Sequence, residues 1–112
     1  MCGTANGAAE LLGLDVRIEP GDVRVHDEYI GQRYGIPTEA GLEAITLAGR
    51  TEGLILDPVY TGKAMSALID HIRRGLIGAD ETVVFVHTGG LPITFAYAPE
   101  IMASLQGMEG KE

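Results

Sequence analysis

Residues 54–87 read LILDPVYTGKAMSALIDHIRRGLIGADETVVFVH, and the change of hydrophobic period inside them decides the fold class. Leu54-Ile55-Leu56-Asp57 is a short apolar run between Gly53 and Pro58, which predicts a strand buried on both faces. From about Gly62 to Arg74 the apolar pairs Ala64-Met65 and Leu68-Ile69, then Ile72, recur at helical spacing, and Gly75 supplies a stop. Thr82 to His87 is β-branched and apolar, runs straight into Thr88-Gly89-Gly90, and predicts a second strand. Strand, helix and strand with short connections form a βαβ unit, which closes parallel and right-handed. The expected architecture is therefore α/β with a parallel sheet.

Upstream of this unit, Thr38 is a candidate N-cap for a helix with Glu39 in its first turn, an apolar face at Leu42, Ile45 and Leu47-Ala48, and Gly53 at its end. Ala5 to Leu14 resembles the last turns of another helix, stopped by Gly13. Between them, Pro20-Gly21 separates two short alternating stretches, which suit either a hairpin or two loop-strand pieces. Downstream, one short helix is expected from Pro92 onward, before a polar end at Glu109 to Glu112. With 112 residues the chain can bury one modest core, so residues 1–112 are taken as a single α/β unit.

Composition narrows the function classes. A formal charge of −8, with Arg73-Arg74 the only basic pair, argues against sequence-independent binding to nucleic acid or anionic lipid. Cys2 is the single cysteine, so neither an internal disulfide nor a cysteine-based zinc site can form, which fits a reducing, cytoplasmic setting. No stretch approaches the ~20 apolar residues of a membrane span. The histidines His26, His71 and His87 show no metal-ligand spacing along the chain, and no metal is expected. Tyr60-Thr61-Gly62-Lys63 lacks the glycine and hydroxyl spacing of a P-loop, so Lys63 reads as a surface helix residue.

Ligands of parallel sheets sit outside the carboxyl ends of the strands. Two such ends are visible, Asp57 to Lys63 and His87 to Gly90, and adjacency of the strands would bring Tyr60, Thr61 and Thr88 to one crevice. These groups offer hydrogen-bond partners, an aromatic face, and a loop end able to cradle an anion on backbone N–H groups. Each also has a plainer explanation. A tyrosine after a buried strand is commonly a packed ring, a threonine before Gly-Gly is ordinary turn chemistry, and His87 reads as a satisfied core histidine rather than a base.

Three strings in order carry a resemblance: YGIPTEA at 34–40, EGLILDPVYTGKAM at 52–65 and FVHTGGLP at 85–92. Together they resemble the C-terminal region of the D-cysteine desulfhydrase and aminocyclopropane-carboxylate deaminase family, over about residues 20 to 100. The resemblance implies a three-layer parallel-sheet domain of a fold type II (tryptophan synthase beta-like) enzyme dependent on pyridoxal 5'-phosphate. Such enzymes are usually homodimers, with the cofactor between two α/β domains, and they act on small amino acids by α,β-elimination or ring-opening deamination. This chain would be a C-terminal fragment of the larger, cofactor-binding domain, about one third of a typical member.

By the same resemblance, Tyr60 flanks the pyridine ring with its hydroxyl toward the substrate, and Tyr34 reaches that substrate pocket as the second catalytic tyrosine. Thr88 bonds the pyridine nitrogen, with Thr61 and Gly89 beside it as cofactor-binding residues. A hydroxyl at that nitrogen does not hold the ring protonated, which makes it a weaker electron sink and suits loss of a good leaving group from the β-carbon. The deaminase branch is expected to carry Glu in place of Thr61 and Leu in place of Thr88. Both departures point to D-cysteine desulfhydrase, with L-cysteate sulfo-lyase and the deaminase as alternatives.

The family's Schiff-base lysine lies in an N-terminal Asn-Lys block, and a separate glycine-rich segment binds the phosphate; neither string occurs here. Lys63 and Lys111 are the only lysines, and Lys63 matches a different family position. The polypeptide alone is expected to be inactive, as a fragment that needs a missing N-terminal segment, as one chain of a split enzyme, or as a small-ligand-binding module without catalysis.

Overall fold

The computed structural model describes residues 1–109, and within them four α-helices form: α1 (Cys2–Leu11), α2 (Glu39–Glu52), α3 (Thr61–Arg73) and α4 (Ala98–Glu109). Two short 3-10 turns, Pro20–Asp22 and Leu91–Tyr97, interrupt the connecting segments. The polar end expected at Glu109 to Glu112, with Lys111, lies largely outside the described residues.

The caps read from sequence govern α2. Thr38 Oγ1 accepts from the Gly41 N–H at 3.0 Å, and Gly53 closes the helix at φ +67 in the left-handed region. α3 begins one residue earlier than expected and ends at Arg73, with Gly75 at φ +69 just beyond. α1 includes the Ala5 to Leu11 stretch and starts at Cys2. The Asn6 side chain secures the loop that follows it, accepting from Ile18 N at 2.7 Å and donating to Ile18 O at 2.9 Å. Pro20–Asp22 is a single 3-10 turn with a reciprocal cap between Glu19 and Asp22, so neither the hairpin nor the strand pieces expected there are formed.

α2 packs against both α3 and α4. Ala44, Ile45 and Ala48 from α2 meet Leu56 and Met65 in the buried core, with Leu42, Leu68, Ile69, Phe85 and Ile101 packed around them. Gly62 makes the close α2–α3 approach possible: a Cβ there would stand 2.7 Å from Asp57 O and 2.9 Å from Ile45 Cγ1. Arg73 Nη2 and Glu43 Oε1 join the same helices across their exposed edge at 2.7 Å.

The expected parallel sheet is not present: among the described residues no β-strand is formed. Leu54–Asp57 and Thr82–His87 are instead irregular segments. They do approach each other, since the His87 ring nitrogen Nε2 bonds Ile55 O at 2.9 Å. The physical reason lies in bonding range. A helix closes its hydrogen bonds within four residues, whereas a strand needs a partner supplied from elsewhere. Ile55, Val84 and Val86 remain 64%, 83% and 73% exposed, side chains that a covered parallel sheet would bury. The radius of gyration, 16.5 Å, exceeds the roughly 13 Å of a compact 100-residue domain, consistent with apolar surface left uncovered.

Candidate functional site

The site is built on the turn between Leu56 and α3. Asp57 is fully buried and its carboxylate accepts four bonds. Oδ2 takes the Val59 and Tyr60 N–H groups, and Oδ1 takes the Thr61 N–H and the Thr61 hydroxyl, at 2.7 to 2.8 Å. Burial pushes the Asp57 carboxyl up, and the bonds from Thr61, Tyr60 and Val59 outweigh it, leaving the group below its ordinary value. The anion held by this helix end is thus the chain's own carboxylate. Of the two loop ends considered from sequence, the one at Asp57 to Lys63 is filled internally.

That cap aims Tyr60 into a cavity of about 530 Å³, whose wall also includes Tyr34, Thr61, Lys63, Val86 and Thr88. Tyr34 arrives from the loop before α2, and its hydroxyl hydrogen-bonds the Tyr60 hydroxyl. The two rings are tilted by 59° with centroids 5.9 Å apart. The Tyr34 bond raises the Tyr60 pKa. Both rings are substantially exposed, at 73% for Tyr34 and 49% for Tyr60, so the phenol pair stands open to a ligand.

Of the residues singled out from sequence, Tyr34, Tyr60, Thr61 and Thr88 border this one cavity. Thr88 is exposed. The Thr61 hydroxyl is buried and committed, donating to Asp57 Oδ1 and accepting from Asp57 N at 2.8 Å, so it shapes the cap rather than the cavity's polar surface. Gly89, at φ +95, turns the chain beside the cavity and is not part of its wall. Gly90 fits this turn onto the cap: a Cβ on it would meet Asp57 Cγ at 2.7 Å. His87 is exposed yet satisfied, accepting from Gly89 N at Nδ1 and bonding Ile55 O through Nε2.

Lys63 differs from its expected surface role. It is 7% exposed, and its ammonium donates to Ile30 O at 2.6 Å, fastening the Tyr34 loop to α3. A second feature was invisible along the chain. His26 and Glu28 on that loop meet His71 on α3, and their ligand-type atoms all lie within 4.8 Å of one another. The Glu28 carboxyl is held below its ordinary value by its own backbone N–H and by the His26 ring.

The comparisons with known proteins fall on this same region. The family model for "Pyridoxal-phosphate dependent enzyme" matches residues 2–89, and the chain belongs to that family. A D-cysteine desulfhydrase from Yersinia enterocolitica serotype O:8 is 47% identical over 88 residues, covering 79% of this chain and 27% of that protein. One from Salmonella typhi is 48% identical over 80 residues, covering 71% and 24% respectively. A crystal structure of an ACC deaminase homologue superposes with a TM-score of 0.68 at 41% identity, covering 88% of this chain and 29% of that one. The chain therefore spans about a quarter of the length of the relatives it matches.

Pyridoxal phosphate is the cofactor of this family. The residues present fit one side of it. Tyr60 offers a ring face and Thr88 a hydroxyl within a mostly apolar cavity. At the turn into α3 the Val59, Tyr60 and Thr61 N–H groups are already taken by Asp57 and offer the phosphate no cradle. Among the described residues no helix is long and apolar enough to cross a membrane.

Proposed function

We propose that this chain forms the substrate-side wall of a pyridoxal-phosphate-dependent lyase that converts D-cysteine and water to pyruvate, hydrogen sulfide and ammonia. The observation that carries this is the Tyr34–Tyr60 hydroxyl pair open to the cavity that Thr88 also lines. The named relatives, D-cysteine desulfhydrases at 47% and 48% identity, support the substrate.

The cofactor supplies the electron sink that makes the α-proton of an amino acid labile. The chain's own groups do the rest of what is proposed here. Tyr60 would flank the cofactor ring, and its hydroxyl, bonded to Tyr34, would face the substrate carboxylate or the departing sulfur, where a phenol could donate a hydrogen bond or a proton. Thr88, which lines the same cavity, would hold the pyridine nitrogen through a neutral hydroxyl. Asp57 and Thr61 hold Tyr60 in place, and the apolar wall at Val59 and Val86 limits water. Lys63 is engaged with Ile30 O, so the covalent lysine comes from the remainder of the family fold. Turnover accordingly requires that remainder, and the complete assembly is a homodimer.

The test is complementation. The chain is mixed with the N-terminal portion of the Yersinia enterocolitica desulfhydrase and pyridoxal phosphate, and pyruvate is measured. Release from D-cysteine, with none from either piece alone, is expected. Assembly of the two pieces that yields pyruvate only from L-cysteate, or 2-oxobutanoate from aminocyclopropane-carboxylate, would overturn the substrate assignment.

A further inference from the structure

His26 and Glu28 lie two residues apart on an exposed loop, while His71 lies 43 residues later on α3, and the fold brings the three together. The His26 and His71 rings meet edge to face with centroids 4.6 Å apart, and His26 Nδ1 stands 3.2 Å from Glu28 Oε1. The meeting is built in by the residues beside them. Tyr29 Oη donates to Asp70 Oδ2 at 2.5 Å, pinning the loop to α3, and its ring lies edge-on to His71 at 5.9 Å. Asp70 is held in turn by Arg74 at 3.2 Å.

From this arrangement we infer that His26, Glu28 and His71 form a binding site for a divalent transition-metal ion, with two imidazoles and one carboxylate as ligands. Two histidines and a carboxylate are a donor set that suits zinc(II), cobalt(II) or nickel(II) over calcium or magnesium, which prefer all-oxygen ligands. Ligand atoms bonded at about 2.0–2.1 Å in a tetrahedron stand roughly 3.4 Å apart, so the most distant pair closes by about 1.4 Å. Exposed side chains on a loop make that adjustment by χ rotation. Three protein ligands leave a fourth coordination position open. His26 and Tyr29 also line the cavity of the tyrosine pair, so the site borders that cavity. The site stands whether or not the chain acts on D-cysteine.

The experiment titrates the metal-free full chain with cobalt(II), follows the visible d–d bands, and then competes with zinc(II). One equivalent is expected to bind with the strong bands of four-coordinate nitrogen and oxygen ligation, and zinc(II) is expected to displace it. His26→Ala and His71→Ala each remove a ligand and weaken binding by more than the roughly 10- to 100-fold that losing an outer-shell partner costs, and Glu28→Gln weakens it by at least about 10-fold. His87→Gln leaves it unchanged. Circular dichroism of each variant reports folding, and His26→Ala, on the exposed loop, keeps the test decisive if His71→Ala unfolds. Absence of the bands, equal affinity in folded His26→Ala, or loss of binding in His87→Gln would overturn the site.

Discussion

The ammonium of Lys63 donates to the carbonyl oxygen of Ile30 at 2.6 Å, so a residue in the first turn of α3 holds the loop that delivers Tyr34 to Tyr60. Hydrogen bonds from charged donors contribute about 1.5–3 kcal/mol. Lys63→Met, which keeps the apolar stem and removes the donor, is expected to cost about 1–2 kcal/mol in urea unfolding and to speed hydrogen exchange in residues 27–36. Unchanged exchange in that loop would show that the bond is not its anchor.

Asp57 is the most heavily bonded side chain of the site, and its loss leaves three backbone donors and one hydroxyl unsatisfied in a buried turn. Asp57→Ala is expected to cost about 3–5 kcal/mol, enough to unfold a marginal domain. Because its folded-state pKa lies below its unfolded value, Asp57 stabilises the chain above the ordinary aspartate range, and that contribution disappears as pH falls through the depressed value. Thermal melts from pH 6 downward should show stability falling at the acid end, and Asp57→Asn should flatten the fall.

Gly62 tests the packing of α2 on α3. A methyl group there meets backbone at Asp57 O and the Ile45 side chain, both under 3 Å. Gly62→Ala should therefore destabilise by about 1–3 kcal/mol, although alanine is the better helix former. A stabilised variant would mean that the helices are looser than described.

The tyrosine pair is expected to separate stability from chemistry. Both rings are exposed, so Tyr34→Phe should change stability by less than about 0.5 kcal/mol. In the complemented enzyme the same change should lower kcat about 10- to 100-fold, because the Tyr60 hydroxyl, still present, loses the bond that orients it. Spectrophotometric titration of the isolated chain gives an independent check. Removing the Tyr34 hydroxyl should return the Tyr60 pKa downward toward its ordinary value, because that bond is the largest cause of its elevation.

Local signals were legible because their physics is local. Thr38, Gly53 and Gly75 marked helix boundaries through caps and left-handed turns that involve only neighbouring residues, and Leu42, Ile45, Ala48, Met65, Leu68 and Ile69 were read as core, whereas Ala64 and Ile72 of the expected α3 face are exposed. Tyr60, Thr61 and Thr88 were legible as a group from their places after two apolar runs, and Tyr34 from its family string. The runs themselves misled as to secondary structure. Leu54–Asp57 and Thr82–His87 have strand composition, but a strand exists only with a partner, and no ladder forms among the described residues.

By itself, the sequence determined α2 with its Thr38 and Gly53 caps, the body of α3, and membership of the pyridoxal-phosphate family, since each rests on short strings or short-range bonds. Only the tertiary structure decided that Lys63 is buried against Ile30. It alone brought His71 to His26 and Glu28. Those pairings depend on how α3 lies against a loop some 40 residues away, and the chain pattern along one dimension carries no record of that geometry.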